Sequence, residues 1–193
     1  NVFIAIAIGG GIGSSVIISQ FLGAGKIGKM KTAVFTTMIN FLVISVILGT
    51  VGAVFNHQIL SWVNTPEDIF SDAALYLAIY FLGLPFLFMY NVQASIFNSL
   101  GDSKRPLYLL IFSSLLNIAL ATLIAQGVSA VLSFFLLMRK LKGYEEEEKY
   151  GCYDFGMMRS MVKIAVPSTL QQSIVHMGIL LVQSVVNSFG SAA

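Results

Sequence analysis

The sequence predicts an all-α, polytopic helical membrane protein, and three observations point to that class. Of its 193 residues, 56% are hydrophobic and 10% charged, with a mean hydropathy of +0.84; an ordinary soluble domain carries about 25% charge. The 11 basic and 9 acidic residues fall into four short clusters: Lys26 to Lys31, Glu67 to Asp72, Asp102 to Arg105 and Arg139 to Lys163. The uncharged runs between clusters match or exceed the roughly 20 residues needed to cross a hydrocarbon core about 30 Å thick. A β-barrel, the other spanning fold, alternates apolar and polar residues with period two. Continuous apolar runs such as Phe41 to Leu48 do not.

The first span runs from about Val2 to Leu22. It is longer than a signal peptide's apolar region and lacks the basic segment that would precede one. The chain opens at Asn1 and closes on Ser191-Ala192-Ala193, and both ends read as cut. Gly9 and Gly13 lie four apart, as do Gly11, Ser15 and Ser19, so small residues share faces on which another helix packs closely. The second span covers about Thr32 to Val54, and Asn40 is its one strongly polar residue. A connection follows, with His57 as a solvated loop residue and Trp62 at an interface position. Thr65 suits a helix N-cap and Pro66 the first turn, and Glu67 and Asp68 suit the positive helix end.

The third span, about Ala73 to Leu100, contains Pro85, which removes a backbone donor and predicts a kink. Beyond it Asn91, Ser95 and Asn98 recur at helical spacing and need partners or water inside a bilayer. Lys/Arg asymmetry orients these spans. The first cluster is all lysine and faces the cytoplasm, the second is all acid and faces out, and Lys104 and Arg105 bring the chain back inside. Arg139, Lys140 and Lys142 then mark a further cytoplasmic end, so the uncharged run from Pro106 to Met138 must cross an even number of times. That run is short for two crossings, at roughly 20 residues each. The arithmetic predicts a helical hairpin shortened by roughly 10–20 residues near Ile118–Ala121, and a single long, tilted span is the competitor. A polar linker, Gly143 to Asp154, carries Glu145 to Glu148 and reads as solvated. Phe155 to Lys163 reads as an amphipathic interfacial turn, and the last span starts near Pro167 and runs past Phe189.

Composition and motifs also exclude. A net charge of +2 gives no nucleic-acid footprint. The one cysteine, Cys152, permits no internal disulfide and suggests no metal cluster. No Asp, Glu, Lys or Arg lies inside a span, so there is no carboxylate pair for acid–base work, and the sequence has no zinc-binding HExxH and no phosphate loop. An enzyme is not expected, and no metal or cofactor site is predicted. The last span is different in kind. Gln172, His176, Gln183 and Asn187 keep near one helix face, with Ser173 beside them, and polar groups at membrane depth face a bundle interior or a water-filled cavity. Histidine is the side chain whose reference pKa lies near physiological pH, so His176 could relay a proton or touch substrate; a neutral histidine bonded between helices is the alternative.

Four stretches resemble a known family. Gly11-Ile12-Gly13 through Ser19-Gln20-Phe21-Leu22-Gly23-Ala24-Gly25 resembles the second transmembrane helix of multidrug and toxic compound extrusion (MATE) transporters. Phe97-Asn98-Ser99-Leu100-Gly101-Asp102-Ser103-Lys104-Arg105-Pro106 looks like the turn after that family's fourth helix. Ala121-Thr122-Leu123-Ile124-Ala125-Gln126-Gly127 resembles its sixth helix. Pro167-Ser168-Thr169-Leu170-Gln171-Gln172-Ser173, continuing to Asn187-Ser188-Phe189-Gly190, resembles its seventh. The resemblance implies two six-helix lobes around a cavity, joined by a cytoplasmic linker, of which this chain holds about helices two to seven of twelve. On that reading residues 1–142 are a partial N-terminal lobe, 143–160 the linker and 161–193 the first helix of the C-terminal lobe.

The family further implies export of amphipathic or cationic small molecules from the plasma membrane, coupled to H+ or Na+ by alternating access. Asn40, Asn91, Asn98, Gln172, His176, Gln183 and Asn187 are then the cavity candidates, Pro85 the gating kink and Gly9 and Gly13 the packing seam. The helix that carries the coupling aspartate in many members would precede Asn1. In the lobe repeat Gln183 falls near that acid's counterpart, with an amide in its place, so the coupling acid is not expected in this chain. Two other readings stand beside this one. A lipid-linked-precursor flippase of the same superfamily would be expected to carry intramembrane Arg or Lys for phosphate. A non-transport membrane assembly subunit is the third.

Overall fold

The computed structural model describes residues 2–62, 65–119, 122–144 and 151–188, with side-chain surroundings for all of these except 2–5, 115–119, 122–123, 176, 180 and 183–188. The described residues form helices alone, in the order α1 (Val2–Gly23), α2 (Ile27–Val54), α3 (Asn56–Trp62), α4 (Glu67–Ser99), α5 (Lys104–Ala119), α6 (Thr122–Lys142) and α7 (Phe155–Ser188). Among the described residues, four stretches are long and apolar enough to cross a bilayer: Ile6–Gly23, Ile27–Val54, Glu67–Ser99 and Ile124–Lys142.

α4 is the central helix, packed against α1, α2 and α6 and touching α3 and α5. Its Leu84, Phe88, Val92 and Phe97 are fully enclosed, together with Ile18 of α1 and Met30 and Val34 of α2. α4 runs unbroken through Pro85, which has no N–H to give the carbonyl of Phe81. α2 meets that turn with glycine: a methyl on Gly49 would stand 2.8 Å from the Phe81 carbonyl oxygen, and one on Gly52 would fall inside the Phe81 ring. Between α1 and α4, the Ser95 hydroxyl donates to the Gly11 carbonyl at 2.8 Å.

The basic clusters gather at one end of the bundle. Lys140 at the end of α6 reaches Asp102 at 3.0 Å and the Leu100 carbonyl at 3.3 Å, and Lys31 of α2 donates to the Tyr144 carbonyl at 3.0 Å. Lys104 and Lys142 therefore bound two helices, α5 and α6, that pack on each other; the single tilted span is not what forms. α5 has 16 residues, about 24 Å at 1.5 Å per residue, which is short against a hydrocarbon core of about 30 Å. The expected junction near 118–121 includes 120–121, which lie outside the described residues, as do Glu145 to Glu148 and the closing Ser191-Ala192-Ala193.

Three boundaries differ from the sequence expectation. Asn56 to Trp62 is a short helix rather than a loop, because the Asn56 amide is buried and donates to the Ala74 carbonyl at 3.3 Å, tying α3 to α4. Pro66, not Thr65, holds the N-cap position of α4, with no side-chain cap bond, and Glu67 and Asp68 occupy the first turn. The last helix begins at Phe155, 12 residues ahead of Pro167, and passes through that proline. Its start is set by Asp154, whose carboxylate accepts the Met157 N–H at 2.9 Å. That is a side-chain N-cap, and a proline further along costs the helix one hydrogen bond without ending it.

Candidate functional site

The site is assembled from a stripe on α2. Thr32, Thr36 and Asn40 recur every four residues and so share a helix face. Each side-chain oxygen accepts a bond from the segment ahead of α7: Thr32 from the Gly151 N–H at 3.1 Å, Thr36 from the Asp154 N–H at 3.0 Å, and Asn40 from the Tyr153 hydroxyl at 2.9 Å. Residues 151–154 therefore lie along α2. Asp154 then caps α7, and the capped helix crosses onto α1.

α7 approaches α1 through glycine. A methyl on Gly9 would overlap the side chain and backbone of Thr169. One on Gly13 would stand 2.6 Å from the Met161 carbonyl oxygen and 2.7 Å from the Ala165 nitrogen. Backbone-to-backbone approach of this kind is what small residues four apart permit in a membrane.

Between α1, α2 and α7 lies a cleft of about 310 Å³. Ile6, Phe41, Ile44, Val162 and Leu170 make its apolar walls, Met158 and Met161 add polarizable sulfur, and Ser14, Thr37, Asn40 and Thr169 are its polar groups. None of these lining residues is charged. The Thr37 hydroxyl is already used, donating to the Ala33 carbonyl at 2.8 Å and lying 3.4 Å from the Met161 sulfur. The volume sits at the lower end of the range for organic-ligand pockets, about 300–1,000 Å³.

The residues singled out by sequence are distributed unevenly around this cleft. Asn40 lines it. Asn91 is half-buried on α4 and donates to its own helix, to the Leu87 carbonyl at 2.8 Å. Asn98 is exposed at the end of α4, and Gln172 is half-buried on α7, one turn past Ser168. The side chains of His176, Gln183 and Asn187 lie outside the described residues. Pro85 lies inside α4 against α2, and Gly9 and Gly13 form the α1–α7 contact. Thr32, Thr36 and Tyr153 are not among the sequence candidates, and Met158 and Met161, read from sequence as part of an amphipathic interfacial turn, line the cleft instead. The four-residue spacing of the stripe was a visible signal for the threonines, whereas nothing local marks Tyr153, 113 residues from Asn40.

A second polar centre lies at the basic end. Asp102 accepts from Lys140 and, at 3.1 Å, from the Arg105 Nε, and both cations sit about 6 Å from the fully buried Phe97 ring. Burial pushes the Asp102 carboxyl up. The Lys140 hydrogen bond, the Arg105 backbone N–H and the two positive charges outweigh it and hold the group below the usual carboxylate range. Among the described residues no three His, Cys, Asp or Glu come together as a metal site.

Long apolar helices around an uncharged cleft define a multi-pass membrane protein, with a site suited to holding an organic molecule. The sequence model of the MatE family matches residues 1–123, and the chain belongs to that family of transporters. It is 31% identical to "Probable multidrug resistance protein YoeA" of Bacillus subtilis (strain 168), an alignment that covers 98% of this chain and 46% of that protein. With "Probable multidrug resistance protein YpnP" of the same organism it shares 28%, over 90% of this chain and 42% of the relative. Among solved structures, "Crystal structure of MATE in the bent conformation" superimposes with a TM-score of 0.73 at 17% identity, covering 99% of this chain and 47% of that one. The chain thus spans less than half the length of these relatives. The YoeA alignment runs over 214 positions against 193 residues here, so it opens gaps on this side.

Proposed function

We propose that the protein exports amphipathic or cationic small molecules by alternating access, driven by inward flow of H+ or Na+. In this reading residues 1–142 belong to one lobe, 143–160 form a cytoplasmic linker, and 161–193 begin the second lobe in a plasma-membrane transporter. The observation that carries it is the uncharged cleft among α1, α2 and α7. It offers apolar walls, two methionine sulfurs and the Asn40 amide, a lining that accepts varied amphipathic molecules because few groups dictate geometry. The Gly9 and Gly13 contacts close α1 onto α7 beside it, as one state of a rocking pair of lobes would. Family membership with two multidrug-resistance relatives supports export over the flippase and assembly-subunit readings.

Cells lacking their major efflux pumps and expressing the full-length gene should accumulate less ethidium than controls. Collapsing the proton gradient or the sodium gradient, one at a time, should restore accumulation and name the coupling ion. Equal accumulation with several unrelated dyes would overturn the transport reading. In the same assay His176→Ala should weaken export or move its pH dependence; wild-type behaviour would remove His176 from the machinery.

A further inference from the structure

We infer that Tyr153 is a latch that holds residues 151–154 against two walls of the cleft, and that the bond it makes to Asn40 must break for those walls to part. The Tyr153 hydroxyl lies 2.9 Å from Asn40 Oδ1 and 3.1 Å from the Met158 sulfur. Asn40 and Met158 both line the cleft, one on α2 and one on α7. A single hydroxyl thus bridges the two walls. Its one proton goes to the amide oxygen, a far stronger acceptor than a thioether.

The neighbours of Tyr153 make this a strap rather than an isolated contact. Gly151 and Asp154 dock their backbone N–H groups on Thr32 and Thr36, one and two turns before Asn40. Asp154 also caps α7, so the strap and the start of α7 move together. A bond between neutral, partly exposed groups is weak enough to break during a conformational cycle. Asn40 has one amide oxygen, and a ligand that donates to it competes with Tyr153. The inference takes its purpose from the transport reading, while the latch itself stands on these distances alone.

Cys152 supplies the probe. It is exposed, it is the one cysteine of the chain, and it sits between two docked residues. In full-length protein reconstituted in liposomes, with any other cysteine replaced, the rate of Cys152 reaction with a membrane-impermeant maleimide reports release of the strap. Tyr153→Phe keeps the ring and removes the hydroxyl, and should raise the rate about fivefold, the population change expected from losing one neutral hydrogen bond. Asn40→Val should raise it equally, and the double variant should match either single one, because both delete the same bond.

Thr36→Val, which removes the next docking bond, provides a second route to release should Tyr153→Phe not insert, and it too should accelerate labelling. Unchanged rates, or a double variant whose effect is the product of the two singles, would overturn the latch. A protein that exports no dye but shows this labelling pattern keeps the latch and loses the transport reading. One that exports dye with labelling unmoved by the variants loses the latch alone.

Discussion

The α1–α7 contact makes a quantitative prediction at Gly13. An alanine methyl there would stand 2.6 Å from the Met161 carbonyl oxygen, 2.7 Å from the Ala165 nitrogen and 2.9 Å from the Ala165 Cα. All three are backbone atoms, so no rotamer change relieves them, and ordinary van der Waals contact begins near 3.4 Å. The helices must therefore part by about 0.5–0.8 Å. Overpacking of this kind costs about 1–3 kcal/mol. In purified full-length protein, Gly13→Ala should lower the midpoint of heat-induced loss of the folded size-exclusion peak by a few degrees, on the order of 5 °C.

Gly23→Ala is the control, because a methyl at Gly23 meets nothing within 4 Å. Alanine's better helix propensity, at most ~1 kcal/mol, should leave that variant neutral or slightly more stable. If the contact also opens during transport, Gly13→Ala weakens the closed arrangement relative to the open one, and dye export should fall by more than stability alone accounts for. A Gly13→Ala protein as heat-resistant as wild type would refute the close approach, and so would a Gly23→Ala protein equally damaged.

Three further outcomes follow from particular contacts. Asp102 is held below the ordinary carboxylate range by Lys140 and Arg105, so its stabilisation is complete above the unfolded-state value and is lost as pH falls through the depressed one. Heat resistance measured from pH 7 downward should show this acid-side loss, which Asp102→Asn should abolish; identical profiles would refute it. Among the described residues the buried Ser133 hydroxyl has no hydrogen-bond partner, so Ser133→Ala should be neutral or stabilise by up to ~1 kcal/mol in the same melt, and a clear loss would show that the hydroxyl is bonded. Asn56→Ala deletes the buried bond to the Ala74 carbonyl and should destabilise by ~1 kcal/mol, leaving α3 the first segment to exchange its amide hydrogens; unchanged exchange would count against that tie.

Where helices cross was legible because membrane residence leaves charge few places to go. Lys26 to Lys31, Asp102 to Arg105 and Arg139 to Lys142 mark helix ends, and they meet at one end of the bundle through Lys31–Tyr144 and Lys140–Asp102. Helix starts were less legible. Pro167 looked like the beginning of the last span, yet the helix begins at Phe155, because the cap at Asp154 determines initiation and a proline only subtracts one bond. The α4 start shows the opposite error: Thr65 has the right chemistry for a cap, but Pro66 takes the position and the acids of the first turn serve without it. The glycines were legible as a packing face, but their partner was not, since nothing in Gly9 or Gly13 names Thr169 or Ala165.

The polar residues inside the spans show why the cleft was only half visible. An amide in a bilayer has two routes to satisfaction: its own helix one turn back, or another segment. Sequence spacing cannot separate these, because every helical residue has a carbonyl four positions behind it. Asn91 takes the first route, to Leu87; Asn40 takes the second, to Tyr153. The difference is what lies alongside. The face of α2 that holds Thr32, Thr36 and Asn40 carries residues 151–154, which lead into α7. A polar side chain bonded to its own helix is inert to conformational change, since the helix carries its partner along. One bonded across elements is strained or released whenever those elements move. By that criterion the Asn40–Tyr153 bond is the contact at which a displacement of residues 151–154 would be felt in the cleft wall.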